Sequence, residues 1–78
     1  MTRKDIPEAG AIDPQFAVGQ GALMREVLTH IDANGEGVAV VIGPGRRFMG
    51  IITDGDIRRA ILSNDDFGQT AAEFLAAP

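Results

Sequence analysis

The residues best suited to chemistry in this chain stand together in the stretch Gly50-Ile51-Ile52-Thr53-Asp54-Gly55-Asp56-Ile57-Arg58-Arg59-Ala60-Ile61-Leu62. A hydroxyl, two carboxylates and two guanidinium groups follow an apolar run, where strand-like spelling gives way to helix-like spelling. Four roles suit such a corner: acid–base catalysis, a divalent cation site, a ligand clamp, or only a helix cap. The cap follows from local physics. Thr53 is a good N-cap, and Asp56 sits three residues on, in capping-box spacing. Asp54 and Asp56 meet the positive end of the helix dipole, worth about 0.3–1 kcal/mol each. Asp54 with Arg58 (i,i+4) and Asp56 with Arg59 (i,i+3) each add about 0.2–0.5 kcal/mol.

The other three roles part on geometry. Glycosidases use paired carboxylates, but that work needs a deep pocket, which a chain this small hardly encloses. An all-protein calcium site wants roughly six oxygens or more, and the Asp54-Gly55-Asp56 spacing matches no EF-hand loop. A clamp asks for least. A carboxylate at a strand-to-helix corner can accept from both hydroxyls of a ribose, while a threonine hydroxyl and free backbone N–H groups hold phosphate. Gly50 would let a ligand approach the strand closely, and Gly55 would relieve crowding at the corner. The two acids repel a bare phosphate, so phosphates are expected to extend toward Arg58, or toward Arg46 and Arg47.

The elements that position this corner are readable from period and punctuation. Residues 1–15, with Pro7, Gly10 and Pro14, read as a flexible lead-in. Residues 16–18 spell a very short strand, broken by Gly19 and Gly21. Leu23, Met24, Val27, Leu28 and Ile31 then fall at helical spacing, and Asn34-Gly35 is a stop. Val38 to Ile42 is a continuous apolar run that reads as a strand buried on both faces. Gly43-Pro44-Gly45 is a turn, and Phe48 to Ile52 is the antiparallel return strand. A helix follows from Asp54 to about Ser63, with Ile57, Ala60 and Ile61 as its buried face and Asn64-Asp65-Asp66 as its end. Thr70 and Glu73 stand in capping-box spacing, opening a further helix before Pro78. The expected organisation is a lead-in over 1–15, a compact unit over 16–64, and a linker with the start of a helix over 65–78. The expected class is α/β (α+β): a small mixed sheet with two helices on one face.

Bulk composition bounds the rest. A chain of 78 residues makes one domain and buries only about 60% of its unfolded surface. It has no cysteine, which removes disulfides and cysteine zinc sites alike. Its single histidine, His30, reads as a half-exposed helix residue. Stability must come from a small apolar core, helped by a partner. The net charge is −4, and four phenylalanines are the only aromatics. Those numbers speak against nucleic acid as a partner, through either phosphate contacts or base stacking. No apolar run approaches the roughly 18 residues of a membrane span, and the N-terminus lacks the apolar centre of a signal peptide. A cytoplasmic protein with no membrane contact is expected.

The spelling Gly50-Ile51-Ile52-Thr53-Asp54-Gly55-Asp56-Ile57, in a β-α-β-β-α order over about residues 16–64, resembles the CBS (cystathionine-β-synthase) domain. Thr53 to Ile61 is similar in particular to CBS repeats appended to arabinose-5-phosphate isomerases and sugar-phosphate nucleotidyltransferases. The resemblance implies a regulatory module rather than an enzyme, with no required cofactor, that binds an adenosine-containing ligand: AMP, ADP, ATP or S-adenosylmethionine. It implies that Asp56 takes the ribose hydroxyls and that Thr53 sits near ribose and phosphate. Ile51 and Ile52 would wall the cleft, and Val38 and Ala39 would border the base. Two departures stand out: Ala39 occupies a position where the family often has proline, and no Ser/Thr cap opens the first helix near Leu23. CBS repeats work in pairs, yet one signature is present here. The partner repeat is therefore expected either from a homodimer or from a missing half of the chain. The alternative is a dimerisation module without ligand, in which the Thr53–Asp56 corner is only a cap.

Overall fold

A computed structural model describes residues 12–64 and 67–77. Most of the expected lead-in, the helix-ending Asp65 and Asp66, and Pro78 lie outside the described residues. Strand β1 is Ala17–Gly19, helix α1 Met24–Asn34, β2 Val38–Gly43 and β3 Arg47–Thr53; α2 is Asp54–Leu62 and α3 Ala71–Ala76. A short 3-10 turn, Pro44–Arg46, joins β2 to β3. The sheet runs β1-β2-β3, with β1 parallel to β2 and β3 antiparallel to it. The mixed sheet and α+β class match the expectation.

Each element ends where its residues dictate. Gly35 takes the left-handed conformation (φ 70°) past α1 and donates to the Ile31 carbonyl at 3.2 Å. The Asn34 amide then donates to the Gln15 and Val38 carbonyls at 3.2 and 3.0 Å. One side chain thereby ties the approach to β1 to the start of β2. In the hairpin, Ile42 pairs with Phe48 while Val41 pairs with Gly50, so Met49 bulges from β3.

Directly paired antiparallel residues share a sheet face. Ala39, Val41, Gly50 and Ile52 therefore face one way, and Val38, Val40, Ile51 and Thr53 the other. Ala39, Val41 and Ile52 form the core with Met24, Val27 and Ile31 of α1, Ile57 of α2 and Ala71 of α3. All three helices cover this one face; two were expected. The opposite face stays open, with Ile51 48% exposed and Val38, Val40 and Ile42 half-buried. The expectation that β2 is buried on both faces fails for that reason: among the described residues, helices cover one face only. Ile61 is a second correction. It is exposed, because Ile57 and Ala60 alone complete the buried stripe of α2.

The missing cap of α1 has a long-range explanation. The Glu26 carboxylate accepts from the Leu23 N–H at 2.8 Å, but leucine has no acceptor to return. The Met24 and Arg25 N–H groups instead donate to the carbonyls of Gln69 and Phe67, at 2.8 and 3.3 Å. In exchange, the Ala71 and Ala72 N–H groups donate to Ala22 and Gln20, at 2.8 and 3.0 Å. The starts of α1 and α3 thus satisfy each other's backbone. Phe74 and Leu75 then pack on the core.

Candidate functional site

The corner between β3 and α2 is built as a reciprocal cap. Thr53 has extended backbone (φ −108°, ψ 164°), and its hydroxyl accepts from the Asp56 N–H at 3.1 Å. Asp56 Oδ2 in turn accepts from the Thr53 N–H and the Thr53 hydroxyl, each at 2.9 Å. Asp56 Oδ1 accepts from Arg59 Nη2 at 2.6 Å. The Thr53 N–H above all holds the Asp56 carboxyl below the usual carboxylate range; partial burial opposes it, and the Thr53 hydroxyl and Arg59 assist. Asp54 is exposed and pairs with Arg58 at 3.6 Å. Its N–H donates to the Gly37 carbonyl at 2.8 Å, which fixes the first turn of α2 against the approach to β2.

The residues singled out by sequence divide into three groups. Thr53, Ile51 and Val38 lie on the open sheet face, with Val38 directly paired to Thr53. Asp54, Asp56 and Arg58 lie on α2. Ile52 and Ala39 are fully buried in the core, so their side chains wall no cleft on the open face, and only their backbone lies along the corner. Gly50 is a correction as well. The room left by its missing side chain, expected for a ligand, is taken by Leu75 of α3. A Cβ at Gly50 would stand 3.1 Å from a Leu75 methyl. Arg46 and Arg47 are also out of range, because the length of β3 puts about 20 Å between them and Thr53.

Two features escaped the sequence reading. Arg59 holds Asp56 more closely than Arg58 holds Asp54, and their spacing alone gives no ranking. An open cleft also lies between the end of α1 and the start of α2, lined by Ile31, Asp32, Gly35, Gly37 and Asp54. Asp32 and Gly37 reach it only through the fold. Among the described residues, no group of three or more His, Cys, Asp or Glu could hold a metal ion. No helix of the described residues is long and apolar enough to cross a membrane.

The fold has solved counterparts. The CBS domain protein PAE2072 from Pyrobaculum aerophilum, complexed with AMP, matches with a TM-score of 0.70 and 25% identity over 88% of this chain and 55% of that one. Hypoxic Response Protein I, with two coordinated zinc ions, matches with a TM-score of 0.65 and 22% identity over 74% of this chain and 50% of that one. No family model matches, and no curated protein does. In fold, and in the Gly50–Ile57 signature at its strand-to-helix corner, the chain is similar to CBS domains. It spans about half the length of the solved proteins it matches.

Proposed function

We propose that this chain is a regulatory CBS module without catalysis of its own, binding an adenosine-containing ligand at the Thr53–Asp56 corner. The candidates are AMP, ADP, ATP and S-adenosylmethionine. The observation that carries the reading is the placement of Asp56. Its partly buried carboxylate stands at the corner beside Thr53, next to a sheet face that is apolar and open. A carboxylate held ionised there suits a ribose diol, and the apolar face suits a base. The AMP complex of the Pyrobaculum protein supports an adenine nucleotide.

Pairing completes the proposal. Val38, Val40, Ile42, Phe48 and Ile51 make an apolar sheet face of the kind that marks an interface. A second CBS repeat fits it, from another copy or from a longer chain. The match to half of longer proteins supports the same view. A ligand held between two repeats would favour their packed arrangement and so shift an attached or associated activity. By resemblance, that activity is a sugar-phosphate isomerase or nucleotidyltransferase.

One observation favours a second reading, a dimerisation module without ligand: both Asp56 oxygens are already used within the chain. A thermal-shift panel with AMP, ADP, ATP, S-adenosylmethionine and magnesium separates the two. A ligand at about 100 times its Kd adds roughly 2.7 kcal/mol, several degrees for a domain of this size. The ligand-binding reading expects such a shift with one adenosine ligand and its loss in Asp56→Asn. A flat panel on a folded dimer supports the dimerisation reading.

A further inference from the structure

The bonds at Asp56 leave too little room for a diol, and that shortage points to its neighbour. A carboxylate has about four acceptor places. Oδ2 already accepts from the Thr53 N–H and hydroxyl, and Oδ1 from Arg59. A ribose diol needs two places, so one donor must leave. The Thr53 N–H is fixed backbone, and the half-buried Thr53 hydroxyl is itself held by the Asp56 N–H. The Arg59 side chain is 72% exposed and can swing away at little cost.

Gly55 shows where that guanidinium rests. A Cβ at Gly55 would lie 3.5 Å from Arg59 Nη1 and 3.7 Å from the Thr53 hydroxyl. The guanidinium therefore lies back across the first turn of α2, within van der Waals contact of where a side chain at 55 would begin. It is always charged and donates only. It competes with ribose hydroxyls for Oδ1, yet it can take a phosphate with two parallel bonds.

Resting on the ribose reading of Asp56, we infer that Arg59 is a specificity-determining residue that makes the site select nucleotides over nucleosides. Arg59 occupies the ribose acceptor until a phosphate of the incoming ligand draws it off. A nucleotide exchanges one partner of Arg59 for another. A nucleoside displaces Arg59 and gives it nothing in return.

The test is calorimetric titration of the full chain with AMP and with adenosine, comparing wild type, Arg59→Ala and Arg59→Lys, with each fold checked by circular dichroism. Arg59→Ala is expected to bind adenosine about threefold more tightly, as an exposed ion pair allows. It should bind AMP about tenfold more weakly, as loss of a bidentate phosphate contact implies. The AMP-to-adenosine preference then falls about thirtyfold, and Arg59→Lys, keeping charge without the fork, lies between. If Arg59 only braces Asp56, both ligands change by the same factor and the preference stays put, which overturns the inference while the ribose reading stands. Wild type binding neither AMP nor adenosine overturns both together. Should Arg59→Ala not fold, Arg59→Lys decides on the same ratio.

Discussion

Helices α2 and α3 open with the same device. In α3 the Thr70 N–H donates to Glu73 at 2.8 Å and the Glu73 N–H to the Thr70 hydroxyl at 3.1 Å. In α2 the corresponding bonds between Thr53 and Asp56 are 2.9 and 3.1 Å. The surroundings differ. The start of α3 is closed by the chain itself, through Gln20 and Ala22 and a bridge between Thr70 and Leu23. Asp56 also holds the Thr53 hydroxyl and Arg59, and its corner borders the open face of the sheet. The α3 box is the more exposed of the two, with Glu73 turned to solvent on the helix-covered side of the sheet, whereas Asp56 is part-buried beside the open face. A capping box whose spare acceptor is held by a movable side chain has something to offer a ligand.

Removing the hydroxyls should have the largest effect on stability. Thr53→Val and Thr70→Val each lose a cap, expected to cost about 1 kcal/mol, within a range of roughly 0.5–2. Thr53→Val should cost more, since that hydroxyl also serves Asp56. Urea unfolding of the two variants checks the order; a costlier Thr70→Val would break the comparison.

The carboxylate comes next. Asp56→Asn should cost about 0.5–1 kcal/mol near neutral pH, as a cap at a helix N-terminus. The folded-state pKa of Asp56 is lowered. Its contribution is therefore complete above the unfolded value of about 3.9 and fades as pH falls through the lower folded value. Unfolding free energies of wild type and Asp56→Asn, followed from pH 6 to pH 2, should converge at the acid end. A constant gap would show that the ionised carboxylate is not what the cap uses.

The smallest effect belongs to the ion pair. Arg59→Ala should cost about 0.3 kcal/mol at low salt and less at high salt. Denaturation at two ionic strengths reads it. A loss above about 1 kcal/mol would mean that Arg59 is a structural brace and not a movable one.

How much of this was legible in the sequence depends on the range of each interaction. Both capping boxes are local, with partners three residues apart, and they could be read directly, as could the Asn34-Gly35 stop and the hairpin. Leu75 over Gly50 joins residues 25 positions apart, and nothing local announces it. The missing cap at Leu23 likewise depends on Phe67 and Gln69. Ile51 and Ile52 are chemically alike, yet one is exposed and the other buried. An apolar run hides that alternation, and only the placement of the helices decides which residue faces inward. Asp56 and its pairing with Arg59 could be found from spacing; that this pair is closer than Asp54 with Arg58 could not.

The most direct test of the account is AMP binding measured by calorimetry on Asp56→Asn and Glu73→Gln side by side with wild type. The two substitutions make the same change in matching caps. Asp56→Asn is expected to abolish binding, while Glu73→Gln leaves it within about twofold of wild type. Equal binding by all three proteins would contradict the ligand-binding reading, leaving the Thr53–Asp56 corner as only a cap.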